Sequence, residues 1–327
     1  MRALVTGSSG FVGSHLAEEL VRQNCTVRVI LRGGARFAPW LKDLPLECAE
    51  AEYTNPESLQ RALRGVDIVF HAGGVTKALT PNGYIDGNVL PTKALLEAAS
   101  VEKNIRRFVL VSSLAVMSPA SGLGEPVRED DVPRPVEAYG RSKLIAELVA
   151  RAYSDRVPIT IIRPPAVYGP RDRDFLKVFA LIQKHVNPYY GNAKKYTSII
   201  HARDLVDGMI RAALSPQAAG RAYFLCNDEP LSWRELQTAM KTAMQRRALD
   251  LYLPGCTPTL AAWCAEPISK LTKKPSIINR EKARLGRPRY WIASNERARA
   301  ELGFDPKISL IDGLAETYRW YTENGWL

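Results

Sequence analysis

The chain has 327 residues, 46% of them hydrophobic and 24% charged, a balance ordinary for a soluble globular enzyme and too long for one small core. Five scattered cysteines (Cys25, Cys48, Cys226, Cys256 and Cys264) lack C-x-x-C or zinc-ligand spacing, so they read as free thiols of a cytoplasmic protein with no metal site. The net charge of +11 comes largely from residues 270–299, and no recognition helix or aromatic-interleaved signature accompanies it, so no nucleic-acid partner is expected. That stretch reads either as a solvated basic face or as a surface favouring an anionic cofactor, substrate or carrier.

In chain order, Ala3-Leu4-Val5 predicts a buried strand. The strand breaks into glycines spaced G-x-x-G-x-x-G (Gly7, Gly10, Gly13), and a helical pattern follows with Val12, Leu16 and Leu20 four apart. Strand, glycine turn and helix in that order are the context a dinucleotide-binding loop requires. One glycine makes the turn, one admits a pyrophosphate close to the backbone, and one lets helix pack on strand. A first strand starting at residue 2 leaves no room for a cleaved presequence.

Further strands are predicted at 26–31, 46–49, 67–72, 107–112 and 157–162. Helices are predicted after Asn55-Pro56-Glu57 and at 84–102 and 136–154. Strands alternating with helices of this length predict an α/β fold with a doubly wound parallel Rossmann sheet. Beyond Arg163 the rhythm changes to proline-rich turns, helices at 174–184 and 203–214, and a strand-like run at 222–226. The remainder reads as mostly helical and closes on an amphipathic helix. It starts at Ser309-Leu310-Ile311-Asp312 and places Ile311, Leu314, Tyr318 and Tyr321 on one face.

Residues 1–168 with 201–227 are therefore expected to form the cofactor-binding domain, and 169–200 with 228–327 a smaller substrate-binding domain covering the carboxyl ends of the strands. The longest uncharged run, residues 251–265, contains Pro254 and Pro258 and is too short to span a bilayer, so no integral membrane segment is expected. Leu251, Tyr252, Leu253, Leu260 and Trp263 in and around it could line a hydrophobic pocket or simply form a buried helix.

Ser112-Ser113 closes the fifth strand, and Tyr139-Gly140-Arg141-Ser142-Lys143 follows on a helix. Tyrosine and lysine four apart on a helix share a face. An ammonium at that distance is expected to stabilise the phenolate and lower the tyrosine pKa toward general acid–base use. Tyr190 and Lys194 repeat the spacing, but in a glycine/asparagine turn where the side chains need not converge.

The combination resembles the extended short-chain dehydrogenase/reductase family, closest in pattern to its dihydroflavonol reductase and 3β-hydroxysteroid dehydrogenase branch. His71-Ala72-Gly73-Gly74 is similar to the family's H-x-A-[AG] segment. Asn88 matches its N-V-x-G-T helix, with Pro91 in place of the glycine. Arg163-Pro164-Pro165-Ala166-Val167-Tyr168-Gly169-Pro170 resembles its R-P-x-x-V-Y-G-P turn, and Ile200-His201-Ala202-Arg203-Asp204-Leu205 its I-H-V-x-D-L element.

The resemblance implies catalytic roles for three residues. Ser113 would polarise the substrate carbonyl, Tyr139 would exchange its proton, and Lys143 would bind the cofactor ribose and tune Tyr139. It also implies cofactor contacts from Gly7, Ser9, Gly10, Phe11, Val12 and Gly13, from Glu52, Tyr53, His71, Ala72 and Gly73, and from Ser112, Tyr139, Lys143, Pro164 and Val167. Glu52 stands where the family usually has Asp near the adenine.

Residues 24–42 hold no acid to accept a ribose hydroxyl, whereas Arg32 and Arg36 suit a 2′-phosphate, which favours NADP(H) over NAD(H). A ketone reductase or alcohol dehydrogenase acting on a small-molecule substrate is the first expectation. A sugar-nucleotide epimerase or dehydratase is the second. Ala166, where sugar-nucleotide members carry Asn, and Leu114-Ala115, where dehydratases carry Asp-Glu, favour the first. A catalytically silent cofactor-binding module would lack the tyrosine or lysine kept here. The resemblance also implies a homodimer built on helices 84–102 and 136–154.

Overall fold

The computed structural model describes residues 1–31, 38–191, 193–257 and 288–327. Apolar runs without polar alternation can pair only in a sheet covered on both faces, and they do so here. β1 (Arg2–Thr6), β2 (Thr26–Leu31), β3 (Leu46–Glu50), β4 (Ile68–His71), β5 (Arg107–Val111), β6 (Ile159–Ile162) and an edge strand Ala222–Tyr223 form one parallel sheet. From edge to edge the order is Ala222–Tyr223, β6, β5, β4, β1, β2, β3. The winding reverses between β1 and β4, which opens a crevice beyond their carboxyl ends.

Among the described residues, α1 (Phe11–Arg22), α2 (Pro56–Leu63), α3 (Pro81–Tyr84), α4 (Leu90–Ala99), α5 (Ala138–Arg151) and α7 (Ala202–Leu214) accompany this sheet, and α6 (Leu176–Gln183) belongs to the second core. The strand period of two sorts the core. Ala3, Val5, Val27, Val29 and Phe70 meet Leu16 and Leu20 of α1 and Leu205 and Met209 of α7. Leu4, Val69, Phe108 and Leu110 face the other way, against Leu59 and Leu63 of α2, Leu95 and Leu96 of α4 and Ala150 of α5.

The helix expected at 84–102 is divided. α3 ends at Tyr84, a π-helical turn occupies Ile85–Val89, and α4 begins at Leu90. Pro91 explains the break, because it has no N–H for the Gly87 carbonyl four residues back and its ring crowds that carbonyl. A wider turn relieves both problems. Within it, Asn88 accepts from the Val75 N–H (2.7 Å) and donates to the Val75 carbonyl (3.0 Å) and Ser142 Oγ (2.9 Å). The bulge thus fixes the loop after β4 against α5.

Beyond β6 a second core gathers Phe175, Phe179, Leu236, Met240, Leu314 and Tyr321. This part holds more strand than its sequence suggests. Ala166–Tyr168 pairs in parallel with Ile199–His201, and Val186–Tyr190 with Leu249–Leu253. Tyr196–Thr197 lies between Leu231–Ser232 and Tyr290–Trp291. Strands of two to five residues carry too little periodicity to read. The run at 222–226 contributes only Ala222–Tyr223 to the large sheet. The closing helix Leu310–Glu323 starts as expected, with Ser309 Oγ accepting from the Asp312 N–H, though Ile311 is exposed rather than packed.

Among the described residues no helix is long and apolar enough to cross a membrane. Leu260, Trp263 and most of the basic stretch lie outside the described residues.

Candidate active site

Thr6 ends β1, and the chain turns at Gly7 with φ +70°. A methyl group at Gly7 would lie 2.6 Å from the Gly73 nitrogen, and one at Gly13 would overlap the Gly7 carbonyl. Only glycine lets the β1 turn, the start of α1 and the loop after β4 touch one another. Gly10 caps α1 without a side-chain hydrogen bond, Ser9 and Gly10 are exposed, and Phe11 and Val12 are half-buried. A helix start with open N–H groups suits a diphosphate. This cradle of backbone fits a dinucleotide.

His71 organises the floor beside it. Thr92 Oγ1 donates its one proton to the Asn88 carbonyl (2.7 Å), so His71 Nε2 must donate to Thr92 (3.0 Å). His71 Nδ1 then accepts from the Thr6 hydroxyl (2.7 Å), whose oxygen in turn receives the Gly73 N–H (3.1 Å). Burial, with Lys143 nearby, holds the imidazole neutral by pushing its pKa down to about 3. His71 therefore acts through its hydrogen bonds, joining β1, β4 and α4. The Tyr53 ring stands edge-on to it at 6.3 Å, and Ala72 is half-buried. Glu52 is exposed, while Arg32 and Arg36 lie outside the described residues.

α5 carries the reactive groups. Its N-cap is the buried Glu137, whose carboxylate accepts from the Tyr139 N–H (2.7 Å) and the Gly140 N–H (2.5 Å). Ser113 caps the short turn Leu114–Val116, accepting from the Ala115 N–H (3.1 Å), and its hydroxyl lies close enough to the Tyr139 phenol to oppose the rise in that group's pKa. The two groups thus meet from successive elements of the sheet edge.

The expected acidic phenol is not found. Burial pushes the Tyr139 pKa up to about 12, and the Glu137 carboxylate and Tyr84 add to the rise against the Ser113 hydrogen bond. Tyr84 packs on the Tyr139 ring at a centroid distance of 6.1 Å. Lys143 is turned elsewhere, donating to the Val111 carbonyl at 2.7 Å. Burial lowers its pKa to about 8, against the pull of Glu147. A methyl group at Gly74 would lie 3.3 Å from its Nζ, so the loop after β4 passes directly over the ammonium.

The Ser112 hydroxyl donates to Glu147 Oε1 at 2.5 Å. Glu147 in turn receives Arg163 Nε (3.0 Å) and Nη2 (2.7 Å), a fork-to-fork ion pair with both side chains almost fully buried. Glu137 and Glu147 were not legible as site residues. Tyr139, Lys143 and Glu147 do recur at i, i+4 and i+8 on one helix, the signal that could have found the second. Pro164 is buried and its carbonyl accepts from the Leu114 N–H (2.8 Å), while half-buried Val167 pairs with Ile200. Tyr190 ends a strand and is exposed before a turn at Gly191, so its spacing to Lys194 is not helical.

Among the described residues no group of three or more His, Cys, Asp or Glu could hold a metal.

A nucleotide cradle at the switch of a doubly wound sheet, beside a neighbouring serine and tyrosine, defines a dinucleotide-dependent α/β enzyme. Residues 3–226 match the sequence profile of the NAD dependent epimerase/dehydratase family, and the chain belongs to that family. It is 28% identical to the ceramide reductase of Caulobacter vibrioides over 99% of this chain and 95% of that protein. It is 25% identical to the UDP-glucose 4-epimerase of Vibrio cholerae over 96% and 93% of the two chains. The UDP-glucuronic acid 4-epimerase of Bacillus cereus, solved with UDP-glucuronic acid and NAD, shares the fold with a TM-score of 0.80 at 23% identity, covering 99% of this chain and 100% of that one.

Proposed function

We propose that the protein is an NAD(P)(H)-dependent ketone reductase or alcohol dehydrogenase acting on a small or hydrophobic carbonyl/hydroxyl substrate, with Tyr139 as its acid–base group. The observation that carries this reading is the closeness of the Tyr139 and Ser113 hydroxyls, with the phenol kept protonated by burial. A protonated phenol beside a second hydroxyl can grip one carbonyl oxygen from two sides.

A bound nicotinamide supplies or accepts the hydride. In reduction, Ser113 donates a hydrogen bond to the substrate oxygen and Tyr139 gives it a proton as the carbon is reduced. Water then reprotonates the phenolate left behind. Lys143, Gly7, Gly10, Gly13, Tyr53, Gly73, Pro164 and Val167 would hold the cofactor, with Lys143 turning from Val111 to the ribose hydroxyls. Arg32 and Arg36, with no acid between residues 24 and 42, support NADP(H) over NAD(H). Exposed Leu90, Ile145 and Leu148 on α4 and α5 support a homodimer through those helices. Free thiols at Cys25, Cys48, Cys226 and Cys256 support a cytoplasmic setting. The separate core around Phe179, Leu236 and Leu314 supports a division into a cofactor domain and a substrate domain, with Ala298, Leu302 and Phe304 packed instead in the first core.

The ceramide reductase relative supports a hydrophobic substrate. A sugar-nucleotide epimerase is the second reading, favoured by the Vibrio cholerae relative and opposed by Ala166. Cofactor absorbance followed against a panel of ketones and sugar nucleotides separates them. Sustained oxidation of NADPH by a ketone supports the reductase, and sugar product formed without net cofactor change overturns it.

A further inference from the structure

Lys77 Nζ donates to Asp174 Oδ1 at 2.7 Å, and Lys177 Nζ donates to the same oxygen at 2.8 Å. Two ammonium groups aimed at one oxygen stand within about two hydrogen-bond lengths of each other. Their partner supplies one negative charge to two positive ones, which leaves a surplus cation.

The place of this cluster gives it meaning. Lys77 lies in the loop between β4 and α3, which passes Lys143 at Gly74 and is pinned at Val75 by Asn88. Three residues reach at most about 10 Å, so Lys77 follows closely on the stretch of loop that covers Lys143. Asp174 and Lys177 come from the start of α6, whose Phe179 is buried in the second core. The Asp172 carboxylate accepts from the Asp174 N–H (3.0 Å) and the Phe175 N–H (2.6 Å), which fixes Asp174 there. The cluster therefore joins the loop after β4 to the start of α6. Its members are 26%, 56% and 40% exposed, and ion pairs so open to water are readily exchanged for another anion.

We propose that Lys77 and Lys177 are a two-ammonium clamp for an anionic group, carboxylate or phosphate, carried by the substrate, and that Asp174 occupies the clamp until the substrate arrives. This rests on the oxidoreductase reading for the substrate's other end and narrows it to carbonyl compounds with an anionic group several bonds from the reacting carbon.

The test is calorimetric titration of the NADP⁺-saturated protein with 6-oxoheptanoate and with its methyl ester. The acid should bind roughly tenfold more tightly than the ester. The Lys77→Gln/Lys177→Gln variant should erase that preference. Asp174→Asn, which removes the competing carboxylate, should tighten the acid severalfold and leave the ester unchanged. A mere strap between the cores would instead weaken binding in both variants alike, and that result overturns the clamp. So does equal binding of acid and ester, or no binding of either. NADPH oxidation distinguishes the two readings. If acid and ester are reduced with equal kcat/KM, the reductase reading stands and the clamp falls. If the acid binds through Lys77 without being reduced, the reverse holds.

Discussion

The Lys143 ammonium lies 2.7 Å from the carbonyl oxygen of Val111, the last residue of β5 before Ser112 and Ser113. A side chain of α5 therefore holds the strand end that presents Ser113 to Tyr139. The same burial that aims this ammonium also weakens its hold on its proton.

That weakness sets a pH dependence. Lys143 titrates near 8 in the fold instead of 10.5, so it carries its charge below pH 8 and loses it above. Dissociation constants for NADPH should rise above about pH 8, by up to about tenfold per pH unit, and Lys143→Met should bind weakly with a flatter curve. The stability contribution has the opposite sign. The unfolded chain keeps this proton up to the higher pKa, so between the two values stability from this group rises with pH. Parallel affinity curves for the two proteins would refute the assignment.

Arg163 and Glu147 are 2% and 1% exposed and satisfy each other through two hydrogen bonds. Glu147→Gln should cost about 3–5 kcal/mol in urea denaturation, because it leaves a buried guanidinium uncompensated. Arg163→Met combined with Glu147→Leu should recover a large part of that loss. A single variant of wild-type stability would show that the pair is open to water.

Gly13 and Gly122 make a matched comparison. A methyl group at Gly13 meets the Gly7 carbonyl, whereas one at Gly122 meets nothing within 4 Å. Gly13→Ala should abolish NADPH binding measured by fluorescence titration and lower the melting temperature by several degrees, about 1–3 kcal/mol of overpacking. Gly122→Ala should leave both unchanged. Normal cofactor affinity in Gly13→Ala would remove the glycine cradle from the account.

Much of this architecture is written in local pattern. β2 occupies residues 26–31 as read, and Asn55 caps α2 through the Ser58 N–H, because apolar runs and cap residues act over a few positions. The meeting of Tyr139 with Ser113 was readable because a strand end and a helix face are both local features. What escaped depends on distant chain segments. The π-turn before Pro91 was hidden inside an otherwise helical pattern. The Ser112 hydroxyl is taken by Glu147, thirty-five residues on. The high Tyr139 pKa follows from burial and from Glu137, neither of which spacing reveals.

The central claim is that the Tyr139 hydroxyl moves the substrate's proton while the rest of the site holds cofactor. The direct measurement compares wild type with Tyr139→Phe for NADPH affinity and for the rate of NADPH oxidation by a ketone the wild type accepts. The account predicts affinity within about twofold and turnover reduced by at least about a hundredfold. Tyr139→Phe turning over at the wild-type rate would contradict it.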